Sequence, residues 1–416
     1  MIHVLDMTSA SFNKLTGGGR PPTVMQILPA LNSGGVEQGV IDINNAIVRS
    51  GGRSIVVSSG GVRVHEILRN GGLHIELPIH SKNPLTMWRN AGVLRHLIRS
   101  HQVDVVHACS RAPAWCAGKA VKGTQAHYVT SCHAAHAAGG PLKKFYNSAI
   151  AGGDLVIAVS HFLANWLEHE FKIDPDKIRV IHRGLALEKF HPNAVTPDRL
   201  VGIAKKWRIP DGASVIMLPG RLSRLKGHMY LIDALVHLGR DDLFCVFVGS
   251  DLEGGYRREL EKYIDAKGFS DKTRIVDNCD DMPAAYMIST VVVAPSLVPE
   301  GFGRIAIEAQ AMGRPLVVTD HGGARETVLR DETGWLVKPG DVHALSQGIA
   351  EAIALTDRQR AVLATRAMSH IAANFTVEMM CARTLDVYAE VMGQGGIRAV
   401  EPPQVQTQLK RRVAGS

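Results

Sequence analysis

The sequence has no long hydrophobic run, few cysteines and few aromatic residues. No apolar segment approaches the ~18 residues that a membrane-spanning helix needs. The six cysteines stand at positions 109, 116, 132, 245, 279 and 381 and include no Cys-x-x-Cys pair, which indicates a reducing compartment rather than a disulfide framework. The N-terminus lacks the charged-then-apolar layout of a secretory signal. We therefore expect a cytoplasmic protein without a membrane span.

The remaining composition is typical of a globular protein with more than one domain. At 416 residues the chain is long enough for two hydrophobic cores. Residues 1–195 contain 20 Lys and Arg against 12 Asp and Glu, whereas the rest contains 27 of each, so the formal net charge of +8 lies in the first half. This basic half is either an ordinary solvated surface or a surface for anionic partners, such as nucleic acid or a membrane face.

Residues 291–315 contain the most informative pattern. The β-branched residues 291–293 predict a buried strand, and Gly301 gives the following loop backbone freedom. Helical spacing of apolar residues follows, which places the carboxylate of Glu300 at the end of the strand and that of Glu308 in the second helical turn. A crevice at the end of a parallel strand, facing a helix N-terminus, binds phosphate-bearing ligands.

Two further loops have features of phosphate sites. Arg221 and Lys226 follow the apolar strand predicted for residues 214–218, and two such cations suit a diphosphate; a solvated basic turn is the alternative. Gly34 and Gly35 lie between a strand at residues 23–28 and a helix reaching residue 48. That layout is typical of phosphate binding, although a plain tight turn explains it equally well.

Two histidines, His133 and His136, follow the strand predicted for residues 127–131. They stand three residues apart, but no carboxylate is near them in sequence and Cys132 does not complete a ligand set. We therefore predict no metal site here. A capping or buried, hydrogen-bonded imidazole remains an alternative for His133.

These motifs together resemble a known family. The run Glu300-Gly-Phe-Gly-Arg-Ile-Ala-Ile-Glu308 matches the E-x7-E signature of the retaining, nucleotide-sugar-dependent glycosyltransferases of family 4. Residues 319–326 (TDHGGARE) and 333–341 (TGWLVKPGD) resemble the segments that follow it, and residues 220–227 match the family's Gly-Arg-(x)4-Lys-Gly pattern. The resemblance covers residues 23–392. It implies an α/β protein of the GT-B fold, in which two Rossmann-like domains with parallel sheets face each other across a cleft.

The resemblance also implies roles for residues of the second domain. Arg221 and Lys226 are expected to hold the diphosphate of the donor. Glu308 is expected to accept hydrogen bonds from the nucleotide ribose, and Glu300 to contact hydroxyls of the sugar. The backbone of Phe302 and Gly303 is expected near the phosphates.

In the first domain, the resemblance places His133 beside the transferred sugar and the Gly34-Gly35 turn close to donor and acceptor. The family usually has Asn-Gly-Val-Asp where this chain has Arg183 and Ala186 at the Asn and Asp positions. This departure leaves the fold intact and gives Arg183 no assigned role.

The resemblance does not identify any residue of this chain as a nucleophile or a base. The catalytic candidates are Glu300, His133, Arg221 and Lys226. The leaving diphosphate oxygen is thought to take the acceptor's proton on the same face, and the protein contributes orientation and electrostatics. No cofactor besides the donor substrate and no metal are expected.

The chain is predicted to consist of five segments: a mobile extension at residues 1–21, an acceptor-side domain at 22–195, a nucleotide-sugar domain at 196–375, a helix crossing back at 376–392, and a disordered basic tail at 393–416. A linker is predicted for residues 188–210.

The sequence leaves several functional hypotheses open. The first is a glycosyltransferase acting on a lipid-linked or cell-envelope glycan; donor base, sugar and acceptor are not specified by the sequence. The alternative is a non-catalytic nucleotide-binding module of the same fold, against which intact Glu300, Arg221 and Lys226 argue. A nucleic-acid binder is disfavoured because no binding motif is present and aromatic residues make up only 5%.

The basic first half suggests an anionic membrane face as a partner. Lys143, Lys144, Phe145 and Tyr146 place two cations next to two aromatic rings, a combination that favours membrane interfaces. We predict that this stretch docks the protein at the inner face of a membrane. A solvated helix start is the alternative.

Overall fold

The computed structural model describes residues 20–32, 34–136, 140–251 and 254–393. The predicted N-terminal extension and basic tail therefore lie, except for residues 20, 21 and 393, outside the described residues. In the described part, two parallel sheets of seven and six strands have the orders β3-β2-β1-β4-β5-β6-β7 and β10-β9-β8-β11-β12-β13. The predicted α/β class with two parallel sheets is confirmed.

The first sheet and its helices alternate along the chain. Its strands are β1 (Thr23–Ile27), β2 (Arg53–Ser58), β3 (Leu73–Glu76), β4 (Val105–Ala108), β5 (His127–Cys132), β6 (Leu155–Ala158) and β7 (Ile178–Val180). Its helices are α1 (Gly35–Arg49), α2 (Val64–Arg69), α3 (Pro84–Ser100), α4 (Arg111–Ala120), α5 (Pro141–Asn147) and α6 (His161–Phe171).

The second sheet is built in the same way. Its strands are β8 (Ser214–Pro219), β9 (Leu243–Val248), β10 (Thr273–Val276), β11 (Val291–Ala294), β12 (Leu316–Thr319) and β13 (Trp335–Val337). The remaining helices are α7 (Pro197–Trp207), α8 (His228–Leu238), α9 (Tyr256–Ala266), α10 (Met282–Ile288), α11 (Arg304–Ala311), α12 (Ala324–Thr327), α13 (Val342–Ile353), α14 (Asp357–Asn374) and α15 (Val377–Val391).

The central strands are buried on both faces because helices cover both sides of each sheet. Every residue of β1 and β9 is buried, which explains the continuous apolar sequence of β9. Strand β1 lies between β2 and β4, and β8 lies between β9 and β11. The chain order reverses at these two central strands, and the crevice at such a switch point is where ligands of α/β sheets bind.

Helix α7 occupies a stretch that the sequence predicted as a linker, and that prediction was wrong for these residues. Pro197 at the first helical position suits a helix start. Ile203 and Trp207 are buried in a core that also contains strand residues of the second sheet, and Arg199 binds Asp281 at 2.5 Å. The helix therefore belongs structurally to the second sheet.

Helix α15 packs on the first sheet although it ends the described chain. Thr376 caps its N-terminus by accepting a hydrogen bond from the Met379 amide. Leu385 and Tyr388 share a core with Val24 of β1. The last helix thereby connects the second half of the chain to the first.

Candidate active site between the two sheets

The loop after β11 holds Glu300 against a cation. Its Oε1 lies 2.8 Å from Lys226 Nζ, and the two side chains are 27% and 21% exposed. Ser296 Oγ donates to the same oxygen. Burial opposes ionisation, but the Lys226 ammonium and the hydrogen bonds from Lys226 and Ser296 outweigh it and lower the pKa of Glu300. Glu300 is therefore a carboxylate at neutral pH.

The loop after β8 supplies the cations. The Lys226 side chain folds back along this loop towards Gly220. Its Cε lies 3.7 Å from the position that a β-carbon on Gly220 would occupy. Gly227 has a φ of +78°, and a β-carbon there would meet Pro295 O at 2.2 Å, so this loop touches the loop after β11. Arg221 is exposed and forms no ion pair within the described residues. One cation is thus paired with Glu300, and the other remains available to an anion.

Two glycines of the loop after β12 support the Glu300 backbone. A β-carbon on Gly322 would lie 2.5 Å from Glu300 O, and one on Gly323 would lie 2.6 Å from Phe302 Cα. The Gly323 amide also donates to Glu300 O at 2.9 Å. Phe302 itself is buried, with its ring packed near those of His182 and Phe375. Only the backbone of Phe302 is therefore placed to face a ligand.

Glu308 lies in the second turn of α11, as predicted, and already has partners. Its Oε1 accepts from Arg304 Nε at 3.1 Å and Nη2 at 2.9 Å, and its Oε2 accepts from Tyr286 OH at 2.8 Å. Burial and then the Glu308 charge raise the pKa of Tyr286, so the phenol stays protonated. Oε2 keeps acceptor capacity, because a carboxylate oxygen accepts more than one hydrogen bond.

The first sheet brings its candidates to the same cleft. Gly34, with φ of +153°, and Gly35 begin α1, and a β-carbon on Gly35 would lie 3.0 Å from Arg304 Cδ. His133 follows β5, and a β-carbon on Gly301 would lie 2.4 Å from its carbonyl oxygen. Residues from both halves of the sequence therefore meet around the loop that carries Glu300 and Gly303.

The His133 side chain is held by a residue to which the sequence assigned no role. Arg183 Nη1 lies 3.2 Å from His133 Nδ1, and His133 Nε2 is buried without a hydrogen-bond partner in the described part of the chain. Burial and then the Arg183 charge lower the pKa of His133 well below its usual value. The imidazole is therefore neutral, with Nδ1 accepting from Arg183 and the proton on Nε2. The departure from Asn-Gly-Val-Asp was the only feature of the sequence that drew attention to Arg183.

No pattern in the sequence predicted a second contact between the two halves of the chain. Glu326 accepts from the amides of His161 and Phe162, each at 2.8 Å, at the N-terminus of α6, and its Oε2 lies 2.9 Å from His182 Nε2. Nearby, Ser160 Oγ donates to Gly301 O at 2.5 Å. These bonds fix the second-sheet loops against α6.

The same contact contains the group most compatible with metal ligands among the described residues. Ligand atoms of His161, His182 and Glu326 lie within 4.8 Å of one another. The Glu326 carboxylate, however, already accepts hydrogen bonds from two backbone amides. His136, considered with His133 for metal binding, instead packs edge-on against Trp166 at 6.4 Å.

The predicted membrane-docking stretch is helix α5, and the structure revises which residues it exposes. Leu142 and Phe145 are 86% and 68% exposed. Lys144 Nζ lies 3.4 Å from a carboxylate of α6. Tyr146 was predicted to belong to the docking stretch, but its ring packs against the first-sheet core under the Arg111 guanidinium. Among the described residues, no helix is both long and apolar enough to cross a membrane.

Two protein families match the chain. The family described as Glycosyltransferase Family 4 matches residues 33–189, and the family described as Glycosyl transferases group 1 matches residues 203–368. A D-inositol 3-phosphate glycosyltransferase from Salinispora tropica is 30% identical over 256 residues, which cover 59% of this chain and 52% of the relative. The chain thus spans about half the length of the curated relatives that it matches.

Solved structures extend the similarity over most of the chain. A glycosyltransferase from Rickettsia africae ESF-5 is 35% identical, has a TM-score of 0.82, and is matched over 99% of its length and 89% of this chain. The Anabaena HepE protein in complex with UDP is 20% identical with a TM-score of 0.77, over 89% of this chain and 100% of that chain. At 20% identity, the second similarity concerns the fold.

Proposed function

The chain belongs to the group 1 glycosyltransferases with the GT-B fold, and we propose that it transfers a sugar from a nucleotide-diphosphate sugar to an acceptor. The family and fold expected from the sequence are confirmed. The observation that carries the proposal is the ion pair of Lys226 and Glu300, with the unpaired Arg221 beside it, at the switch point of the second sheet. This arrangement suits a ligand with two phosphates and a sugar.

The donor is proposed to lie along the second sheet. Arg221 is available to the diphosphate, and Lys226 is shared between a phosphate and Glu300. Glu300, kept ionised by its lowered pKa, accepts hydrogen bonds from sugar hydroxyls. Glu308 accepts one from the ribose through its remaining capacity at Oε2. Support for a uridine nucleotide comes from the Anabaena HepE protein, which was crystallised with UDP and with UDP-glucose.

We propose a retaining, metal-independent reaction. The anomeric carbon–oxygen bond to the diphosphate breaks, and the acceptor hydroxyl oxygen forms the new bond to the anomeric carbon on the same face. The leaving diphosphate oxygen takes the proton of that hydroxyl. Arg221 and Lys226 stabilise the charge that develops on this oxygen, as a magnesium ion does in other enzymes. Neutral His133, protonated on Nε2, donates a hydrogen bond to the transferred sugar. Its main-chain contact with Gly301 keeps the two walls of the cleft together.

The acceptor is proposed to enter along the first sheet and to be a lipid-linked or cell-envelope glycan. Support comes from the charge excess of that half and from Leu142 and Phe145, whose apolar side chains project from α5 beside exposed Lys143. Apolar and basic side chains together favour the surface of an anionic membrane. The relatives named D-inositol 3-phosphate glycosyltransferase favour, as a second class, a small phosphorylated polyol.

A donor screen tests the proposal against the alternative of a non-catalytic nucleotide-binding module. Purified protein is incubated with uridine, guanosine and adenosine diphosphate sugars, an acceptor mixture and EDTA, and release of nucleoside diphosphate is followed. We expect release from one donor class, with unchanged anomeric configuration in the product by NMR. Tight nucleotide binding without release under any condition would support the non-catalytic module. Release that requires added magnesium would contradict the metal-independent reaction.

A further inference from the structure

Arg183 is a buried cation that pairs with no carboxylate among the described residues. Its side chain is 8% exposed, and the described residues offer its guanidinium one hydrogen bond, from Nη1 to His133 Nδ1. No carboxylate in that part of the chain lies within the 4.0 Å of an ion pair. Burial of a charge is unfavourable unless the charge is paired. Desolvation, followed by repulsion from Arg304, accordingly lowers the pKa of Arg183 to about 10.

Helix α1 leaves space for this guanidinium and for a second one. Gly35 and Gly39 stand four residues apart and therefore lie on one face of the helix. A β-carbon on Gly39 would lie 2.8 Å from Arg183 Nη2. One on Gly35 would lie 3.7 Å from the same atom and 3.7 Å from Arg304 Nη1. Two guanidinium groups thus converge on the first turn of α1.

The first turn of α1 adds positive potential. Gly34 at its N-cap has no side chain to bind the free amides, which carry partial positive charge. The Glu37 carboxylate of the same turn lies against Gly34, with Oε2 2.4 Å from the position of a β-carbon there, and offsets part of this charge. The carboxylates nearest to the Arg183 guanidinium do not pair with it. Glu308 pairs with Arg304, and Asp42 accepts a hydrogen bond from Gln38 at 2.8 Å. Glu37 and Asp42 attract Arg183 only at longer range.

A small cavity lies beside Arg183 and His133. Most of its lining is apolar, Gly39 and Ser131 also line it, and its volume is about 30 Å³. That volume accommodates a water-sized group, such as one oxygen of an anion. His133 Nε2, which lacks a partner in the described residues, also belongs to this wall. Arg183 Nη2, which makes no hydrogen bond within the described residues, therefore lies beside a space in which a single oxygen fits.

We propose that Arg183, Arg304 and the first turn of α1 bind a compact oxyanion, a phosphate or a carboxylate, carried by the acceptor. The assignment to the acceptor rests on the proposed function, because the donor's diphosphate has its own cations, Arg221 and Lys226, on the second sheet. Arg183 belongs to the first sheet and follows β7. A planar guanidinium suits phosphate and carboxylate through two parallel hydrogen bonds.

Phosphate binding tests this site without requiring transfer. Inorganic phosphate is titrated by calorimetry into the full chain carrying Arg221→Ala and Lys226→Ala, which removes the cations proposed for the donor. We expect saturable phosphate binding in this background and at least tenfold weaker binding after adding Arg183→Gln. Arg179→Gln, which removes an equal charge from the same stretch but pairs with Glu390 on the surface, is expected to leave phosphate binding unchanged.

A second variant keeps the test decisive if Arg183→Gln does not fold. Gly39→Ala places a methyl group 2.8 Å from the present position of Arg183 Nη2, which forces the guanidinium to shift without removing its charge. This helical position does not require positive φ, so the backbone tolerates alanine. We expect Gly39→Ala to weaken phosphate binding. Equal phosphate affinity in all variants, or no phosphate binding in the background protein, would overturn the proposal.

Titration with acetate distinguishes the two oxyanions. Phosphate bound much more tightly than acetate would identify a phosphorylated acceptor, and the reverse order would identify a carboxylate. The result is independent of the donor screen. Phosphate binding that depends on Arg183, in a protein that releases no nucleoside diphosphate, would retain the oxyanion site and reject the proposed transfer.

Discussion

Lys226 Nζ lies 2.8 Å from Glu300 Oε1, and this ion pair joins the loops that follow β8 and β11, two strands that pair in the middle of the second sheet. Removal of either partner leaves the other charge partly buried. In the proposed function, the pair positions a carboxylate for sugar hydroxyls and a cation for phosphate at the same point of the cleft.

Replacement of Glu300 by Gln should reduce both activity and stability. The amide is neutral, so it neither pairs with Lys226 nor accepts as strongly from a sugar hydroxyl, and we expect turnover to fall on the order of 10²-fold. The loss of a charged hydrogen bond should lower the free energy of unfolding at pH 7 by about 1–2 kcal/mol. Denaturant titration and initial rates measure the two effects.

The stability difference between wild type and Glu300→Gln should depend on pH. The folded pKa of Glu300 is lowered from its ordinary 4.5, so its contribution is fully present above pH 4.5 and is lost as pH falls through the folded value. Wild type should therefore approach the variant in stability only in acid. A difference that is constant from pH 7 to 3 would show that ionisation of Glu300 contributes nothing.

Gly301→Ala should force the two walls of the cleft apart. A β-carbon would lie 2.4 Å from His133 O, a main-chain atom that does not move independently. We expect a loss of about 1–3 kcal/mol in unfolding free energy, as for other overpacked sites, and lower turnover. Gly202→Ala in α7, where a β-carbon meets nothing within 4 Å, is the control. Wild-type behaviour of Gly301→Ala would contradict this contact.

Tyr388→Phe should weaken the attachment of α15 to the first sheet. Tyr388 OH lies 2.7 Å from His107 Nδ1, and Ser131 Oγ lies 2.6 Å from the other ring nitrogen. The variant leaves a buried nitrogen without its partner, which should lower the free energy of unfolding by about 1–3 kcal/mol. Tyr263→Phe, which removes a hydroxyl bound to Asp233 nearer the surface, should have a smaller effect in the same denaturant titration.

Helix α5 should promote binding to anionic vesicles. Co-sedimentation with phosphatidylserine-containing liposomes at low salt is expected for wild type. It should weaken for Lys143→Glu combined with Phe145→Ser, because the charge and the exposed ring favour the interface. Lys122→Glu, an exposed charge reversal elsewhere in the first half, is the control. Wild type that stays in the supernatant would favour an acceptor in solution.

Local patterns in the sequence predicted the parts of the site that depend on near neighbours. The β-branched run before Glu300 and the helical spacing after it gave both carboxylates their places. Asp281, which precedes Pro283 in the first turn of α10, caps this helix by accepting from the Ala284 amide at 3.1 Å. Such features are decided within a few residues along the chain, where propensity and capping act.

Contacts between distant segments left no local pattern. Arg183 and His133 are 50 residues apart, and Glu326 and Phe162 are 164 apart. The inward packing of Tyr146 likewise depends on Arg111 from α4 rather than on its basic neighbours. These features depend on tertiary packing, so local sequence patterns singled out Arg221 and Lys226 but not the buried Arg183.

The central claim is that the loop after β8 binds a nucleoside diphosphate through Arg221 and Lys226. Calorimetric titration of UDP, with GDP and ADP in parallel, tests it most directly in wild type, in Arg221→Ala combined with Lys226→Ala, and in Arg224→Ala. Arg224 lies in the same loop but pairs with Glu259 on the surface, so its loss controls for net charge. We predict that one nucleotide binds wild type and Arg224→Ala alike and fails to bind the double variant. The double variant should remain folded by circular dichroism, although loss of the Lys226–Glu300 ion pair lowers its melting temperature. Equal affinity of the double variant and wild type would contradict the claim.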